Sequence, residues 1–269
     1  MKVLSRLNIK TKVAADMGKY YPGDFGYWWT VKKGNDDIEG KVYKGDINCS
    51  SVGIVSLRGC PKEVGGIFNC GNNKKLTSLE YGPEKISKDF WCHNNQLTSL
   101  KGSPKEVGGN FLCHHSQLTS LKGAPEKVGG DFLCYDNKLT SLEGAPQKVG
   151  RDFNCFDNQL KSLKGGPKEV GGDFDCSENK LTSLEGAPEK VAAFDCIDNK
   201  LTSLKGAPKE ITSWDFKCCD NPLVSLDGLP KKIKRNLELP DIESFGGSAA
   251  IKKLSQIGGD IKENSMNGN

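Results

Sequence analysis

The 269-residue chain has no hydrophobic run long enough to span a bilayer. Its start, Met1 to Arg6, opens no apolar segment of the kind found in secretion signals, so we expect no such signal. The charges are nearly balanced, since 38 Lys and Arg against 34 Asp and Glu give a net charge of +4. So small an excess is weak support for nucleic-acid binding. No phosphate-binding loop, nucleotide fingerprint or catalytic motif is present, and we therefore expect a non-enzymatic protein.

Cysteine, in contrast, is abundant, with 11 residues in the chain. Most of them recur about every 21 residues, and a fixed period of this length indicates one supersecondary unit stacked many times. The recurring residues are Cys49, Cys70, Cys92, Cys113, Cys134, Cys155, Cys176, Cys196 and Cys218.

These thiols are predicted to be reduced packing groups. Free cysteine packs as a small hydrophobic residue, and in-register side chains on parallel strands rarely reach the torsion that a disulfide needs. We therefore expect a reducing, cytoplasmic compartment. Cys60 and the pair Cys218–Cys219 lie partly off the column and are the expected exposed thiols.

Each unit has the same order of residues. Phe stands two positions before the cysteine, Asn stands three after it, and Leu-x-x-Leu and a Pro follow. The Phe-x-Cys spacing places both side chains on one face of a short strand. The Pro disfavours a helix in the return segment. The Asn column is expected to satisfy backbone groups buried between coils.

The Phe-x-Cys-x-x-Asn-x-Leu pattern resembles the signature of leucine-rich repeats. The short unit is similar to the bacterial type found in secreted effectors, and Leu-Thr-Ser-Leu-x-Gly-x-Pro is similar to repeats encoded by large tailed bacteriophages. The resemblance covers about residues 45–235. It implies a β-rich solenoid of about nine to ten coils, with a parallel sheet on one face, few helices and a cap at each end. It says little about function, because such scaffolds serve many binding roles.

The segments outside the repeats are predicted to be caps. Residues 1–44 are aromatic, and Trp28 to Val31 with Ile38 to Tyr43 is predicted to be a β-hairpin. Residues 236–269 are predicted to contain an atypical last strand, a short helix within Ser248 to Ile257, and a flexible tail.

Three units depart from the period. Lys74-Lys75 adds one residue to the first full turn, one residue is missing before Phe194, and one extra residue before Phe216 restores the register. Ser116 replaces Asn in the unit that carries two of the three histidines.

The residues on either side of each cysteine should point outward, because side chains alternate along a strand. On four consecutive coils these positions are apolar, aromatic or histidine, and a contiguous patch of this kind typically marks an interaction site. The patch contains Trp91, His93, Leu112, His114, Leu133, Tyr135 and Phe156.

Acidic residues surround and extend this patch. They lie beside or after the patch on the sheet face, as Asp136, Asp157, Asp175 and Asp195. A negative face favours a partner with a basic or mixed basic and apolar surface, and disfavours nucleic acid. The alternative is that Asp is simply a favourable strand-entry and turn residue, repeated by duplication of the unit.

The leading hypothesis is a protein-binding scaffold that needs no cofactor or metal and contacts no membrane. The bacteriophage resemblance implies a host-interaction or anti-defence inhibitor acting in the host cytoplasm. One alternative is a small-molecule, metal-binding or enzymatic protein using the His/Trp/Tyr patch, with His93, His114 and Asp136 as metal ligands. Another is a structural spacer or virion component.

Overall fold

The computed structural model describes residues 24–26, 28–29 and 38–263, and they form a solenoid in which most coils contribute two short strands. The Phe-x-Cys segments build the front sheet, which has eleven strands, all parallel. Its strands are Ile47–Asn48, Phe68–Asn69, Phe90–Trp91, Phe111–Leu112, Phe132–Leu133, Phe153–Asn154, Phe174–Asp175, Phe194–Asp195, Phe216–Lys217, Leu237–Leu239 and Ile261–Glu263. The leucine-rich-repeat-like solenoid expected from the sequence is therefore confirmed.

The return segments form two further parallel sheets, of seven and four strands. The first contains Val42–Tyr43, Glu63–Val64, Lys85–Ile86, Glu106–Val107, Lys127–Val128, Lys148–Val149 and Glu169–Val170. The second contains Lys190–Val191, Glu210–Ile211, Lys232–Ile233 and Gln256–Ile257. Among the described residues, no helix is both long and apolar enough to cross a membrane.

The core is a set of columns that run through the stack. The Phe rings of successive coils lie 5.1 to 5.8 Å apart between centroids. Both the Phe and the recurring Cys columns are essentially inaccessible to solvent. Burying one such aromatic side chain contributes about 1.5–3 kcal/mol, so each coil depends on its neighbours for stability.

All eleven cysteines are free and buried. Burial raises the pKa of every one of these thiols, with Cys219 raised to about 11. The expectation that Cys60 and the pair Cys218–Cys219 are exposed is wrong, because their exposed fractions are 5%, 0% and 1%. Cys60 and Cys218 belong to the hydrophobic core, and Cys219 is buried in the row after the recurring cysteines.

The Asn column satisfies backbone groups between coils, as expected. Asn158 donates from Nδ2 to the carbonyls of Cys134 (3.2 Å) and Cys155 (3.1 Å), and its Oδ1 accepts the Leu139 N–H (2.9 Å). Each amide therefore bonds the backbone of its own coil and of the preceding coil. The same three bonds recur at Asn137, Asn179, Asn199 and Asn221.

Glycine is required at two points of the coil. The turn before the Pro has a left-handed backbone, as at Gly144 (φ 91°), which glycine adopts without strain. At the first glycine of the Gly-Gly pair the coils touch, and a Cβ on Gly129 would lie 2.1 Å from the Gly108 carbonyl oxygen.

The missing residue before Phe194 interrupts the return sheet but leaves the front sheet intact. The Ala192 N–H bonds the Gly172 carbonyl (2.8 Å) as the Gly172 N–H bonds the Arg151 carbonyl (2.9 Å), so the missing residue is the counterpart of Gly171, whose N–H bonds the Val149 carbonyl of a return strand (3.0 Å). The return strands therefore divide into two sheets at this coil. In the front sheet, Phe174 still pairs with Phe194, and Phe194 with Phe216.

The described N-terminal residues cover the first coil. Phe25 is fully buried, and its ring lies 6.0 Å from that of Phe68. Trp28 and Trp29 have helical backbone, so the predicted first hairpin strand is wrong at these residues. Val42–Tyr43 instead pairs in parallel with a return strand of the solenoid. The predicted hairpin turn, at residues 34–37, lies outside the described residues.

The C-terminal segment adds more to the stack than the sequence predicts. The atypical strand Leu237–Leu239 is present, and after a 3-10 turn at Glu243–Phe245 the helix α1 spans Gly247–Leu254. This helix ends before the predicted limit, because Gln256–Ile257 joins the return sheet. Ile261–Glu263 then extends the front sheet. The predicted flexible tail, at residues 264–269, lies outside the described residues.

Candidate protein-binding face

Four aromatic rings form a continuous stack on the front sheet. The pairs His93–His114, His114–Tyr135 and Tyr135–Phe156 have centroid distances of 4.9, 4.4 and 4.6 Å and interplanar angles of 14°, 8° and 11°. These distances match the spacing of neighbouring strands, about 4.8 Å, so in-register strands bring the rings into parallel contact. We call His93, His114, Tyr135 and Phe156 the ring ladder.

A second row of predicted residues runs beside the ring ladder. Trp91 pairs with Leu112, and Leu133 continues the same row in the next coil. We call these three residues the apolar row. Sequence reasoning thus placed all seven residues of the patch on one face, on four consecutive coils.

The patch is less exposed than the sequence suggests. His114 is buried, with 9% of its surface exposed, and the other six residues are only partly exposed. The reason is the stacking itself, since each ring covers the face of its neighbour. The accessible surface is therefore formed by ring edges and by the side chains of the apolar row.

Three ring nitrogens of the patch lack hydrogen-bond partners among the described residues. Trp91 Nε1, His93 Nδ1 and His114 Nδ1 are buried and bond to no other group in the described part of the chain. Burial lowers the pKa of His114 to about 4 and also lowers the pKa of His93, and the neighbouring histidines act in the same direction. Both imidazoles are therefore neutral at neutral pH.

The geometry does not support the alternative of a metal site at His93, His114 and Asp136. Asp136 bonds the ring Nδ1 of His115, an exposed residue whose ring lies edge-on to Tyr135, rather than His93 or His114. Across the residues that the structure describes, no group of three His, Cys, Asp or Glu side chains could hold a metal ion.

Much of the predicted acidic field has a structural role. In the row before Phe, each Asp or Asn side chain accepts the N–H of the same position in the next coil, as Asp152 does for Asp173 (2.9 Å). At the positions two residues after the recurring cysteines, the backbone is left-handed, as at Asp136 (φ 49°) and Asp157 (φ 48°). Asp tolerates this conformation. The duplication alternative therefore accounts for the positions of these carboxylates, although their charges remain.

Asp175 and Asp195 are different, because their position does not require a charge. The Oδ1 of Asp195 accepts the Ile197 N–H (3.1 Å), and Asn154 makes the same bond to Phe156 (3.1 Å) in a neighbouring coil. Burial raises the pKa of Asp195 to about 6, and Asp175 adds to the shift while Lys217 opposes it. The surroundings of Asp195 therefore disfavour the charged form of its carboxyl group.

A cleft of about 260 Å³ lies at these two residues. We call it the acidic notch. Its lining includes Leu133, Asp152, Asn154, Asp173, Asp175, Ala193, Asp195, Asp215 and Lys217.

Sequence reasoning missed two exposed aromatic residues, Tyr81 (65% exposed) and Trp214 (47% exposed). The Arg58 guanidinium lies 5.6 Å from the Tyr81 ring centroid, and the Arg235 guanidinium lies 4.0 Å from that of Trp214. The sequence does indicate Trp214, because its unit has one extra residue and Trp214 stands at that point, directly before Asp215.

No protein-family model matches this chain, and no curated protein matches it. Among solved structures, the chain is similar to YopM from Yersinia enterocolitica WA-314, with 18% sequence identity and a TM-score of 0.35. The alignment covers 86% of this chain and 66% of that one. This likeness is too low to carry any argument about function, and the leucine-rich-repeat-like architecture rests on the strand pairing and the repeat itself.

Proposed function

We propose that this chain is a non-enzymatic scaffold that binds another protein through the front sheet, with the ring ladder and the apolar row as the central contact. The observation that carries the proposal is the unbroken stack of four parallel rings beside Trp91, Leu112 and Leu133. Aromatic and aliphatic clusters of this kind dominate the energetics of protein interfaces.

The chain provides an internal control for this argument. The positions directly before and after the recurring cysteine, which hold the apolar row and the ring ladder, carry other residues elsewhere. They are Asn69 and Gly71 on the coil before the patch, and Asp175 and Ser177 on a coil after it. Those coils keep the same Phe and Cys columns and the same strand pairing. The fold therefore does not require rings at these positions, and their clustering on four coils fits a binding role.

The partner should combine apolar and basic surface. The acidic notch begins at Leu133, where the apolar row ends, and five Asp residues in its lining face a single Lys. Complementary charge across an interface favours association and selects partners. Nucleic acid is disfavoured on this face for the same electrostatic reason. The repeat sequence resembles repeats encoded by large tailed bacteriophages. This resemblance supports a more specific role, that of a host-interaction or anti-defence inhibitor in the host cytoplasm.

The test is affinity purification from bacterial lysate with three forms of the protein. The first is the wild type, and the second is Trp91→Ala/Tyr135→Ala/Phe156→Ala. The third, a control, is Val52→Ala/Val55→Ala/Val224→Ala, which removes apolar residues exposed elsewhere on the solenoid (43%, 41% and 81%). We expect the wild type and the control to retain the same proteins, and the ring variant to lose them.

Circular dichroism must show the same β signature in all three forms, so that loss of binding is not loss of fold. Retention of the same proteins by the ring variant would contradict the proposal. So would equal loss in the ring variant and the control.

A further inference from the structure

The acidic notch exists because of the register defect in the solenoid. At the position before Phe, the neighbouring coils carry Asp173 and Asp215, whereas the shortened coil carries Ala193. In a regular pair of coils this side chain accepts the N–H of the next coil, and alanine has no oxygen that could do so for Asp215. The missing carboxamide or carboxylate leaves a gap that opens on the front face and is lined by the surrounding acids.

The charge around this gap is one-sided. Lys217 is the one cation in its lining, and it reaches Asp195 only at 4.0 Å, the limit of an ion pair. Asp175 is held by Asn154 Nδ2 (3.3 Å) and Ser177 Oγ (2.6 Å), neither of which carries a charge. The site thus holds carboxylates in a cleft next to an apolar surface, and the chain itself neutralises little of their negative charge.

We propose that the acidic notch receives a lysine or arginine side chain of the partner protein, placed beside the apolar residues that cover the ring ladder. This inference rests on the proposed function and adds the partner's recognition pattern. The charge complementarity favours a cation, and the half-apolar lining accommodates the aliphatic stem of a Lys or Arg side chain.

The strand register sets the distance between the two contacts. From the coil of Tyr135 to that of Asp195 the front sheet advances by three strands. At about 4.8 Å per strand this is about 14 Å. An extended peptide rises about 3.3 Å per residue, so one lying along the stack would carry its basic residue about four positions from its aromatic or aliphatic residue.

The matched variants come from the chain's own repeats. Asp175→Asn/Asp195→Asn removes two of the five carboxylate charges in the notch and introduces the residue that Asn154 already places in the same row, where it makes the same backbone bond. The control is Asp198→Asn/Asp227→Asn, which removes the same charge from two exposed carboxylates outside the notch, and Asp198 has the left-handed backbone at which Asn72 and Asn94 occur in other coils. Both variants are therefore expected to fold as the wild type does.

The probe is a displayed library of random twelve-residue peptides, selected on the immobilised full-length wild type without counter-selection. Each enriched peptide is then titrated against the wild type, the ring variant and both Asp→Asn variants. We expect enriched peptides to contain Lys or Arg about four residues from an aromatic or aliphatic residue. The notch variant should weaken their binding about tenfold, and the control less than about twofold.

The possible outcomes separate the inference from the proposed function. Peptides that require the ring ladder but ignore the notch variant would overturn the inference and leave the proposed function standing. Peptides weakened equally by the notch variant and the control would also overturn it, since they would sense only overall charge. Peptides that ignore the ring variant, or the absence of any enrichment, would count against both.

Discussion

Replacing Ser116 by Asn should stabilise the solenoid, because Ser116 is a defect in the Asn column. Ser116 is 4% exposed, and its Oγ has no hydrogen-bond partner among the described residues. In the next coil, Asn137 accepts the Leu118 N–H (2.9 Å) and donates to two cysteine carbonyls. An Asn at position 116 is placed to make the equivalent bonds, including one to the Leu97 N–H.

The expected gain follows from these bonds. Each internal hydrogen bond contributes about 0.5–1.5 kcal/mol net, and a buried polar group without a partner costs about 1–3 kcal/mol. Ordering the longer Asn side chain offsets part of this. We therefore expect Ser116→Asn to raise the free energy of unfolding of these coils by about 2 kcal/mol. The reverse change, Asn158→Ser, should lower it by a similar amount.

Hydrogen exchange is the assay of choice, because long repeat arrays lose two-state cooperativity and a single melting temperature averages over the coils. In Ser116→Asn the Leu97 amide should exchange about tenfold more slowly or better, since 1.4 kcal/mol corresponds to a factor of ten. In Asn158→Ser the Leu139 amide should exchange correspondingly faster. The account of the Asn column is refuted if the introduced side-chain amide at position 116 occupies the column and hydrogen exchange at the Leu97 amide is nevertheless unchanged.

The remaining predictions concern the titrating groups. Because the pKa of His114 falls to about 4 in the folded state, the unfolded chain binds more protons between pH 6.5 and 4. Wild-type stability should therefore decline as the pH falls through this window, and His114→Tyr, measured by urea titration at each pH, should decline less steeply. The pKa of Asp195 is raised to about 6, so the affinity for a basic peptide should fall as the pH drops below 6 in the wild type but not in Asp195→Asn, as measured by calorimetry. All eleven thiols are buried, so a thiol reagent at pH 8 should modify the native protein slowly and the denatured protein at every cysteine, and a fast-reacting native thiol would contradict their burial.

The repeat itself made the fold predictable. A period of about 21 residues with Phe-x-Cys leaves one strand phase in which both columns are buried, and the same phase assigns the outward rows. The Asn column followed from the same alignment. Where the period ends, the prediction weakened: Trp28 and Trp29 are helical, and Ile261–Glu263 was not foreseen.

The candidate site was predictable in position but not in character. Alternation along the strand placed His93, His114, Tyr135 and Phe156 on one face, yet their mutual burial depends on ring orientation, which the sequence does not encode locally. For the acidic rows, sequence reasoning attributed to binding a pattern that is largely structural. Their positions are explained by the side-chain ladder before Phe and by the left-handed backbone after Cys, so most of that charge pattern reflects the fold.

The departures from the repeat are therefore more informative than the repeat. Where the chain follows its own consensus, Phe, Cys, Asn and Gly each have a structural reason. Where it departs at Ser116 and at Ala193, the fold loses an interaction: Ser116 leaves a polar group without a partner among the described residues, and Ala193 lacks the side-chain oxygen that accepts a backbone N–H in other coils. Sequences that specify one structure break local rules mainly at functional sites. Ser116 lies in the buried Asn column, whereas the ring ladder and the acidic notch, which contains Ala193, lie on the front sheet, which is the arrangement expected if a single partner spans the ladder and the notch.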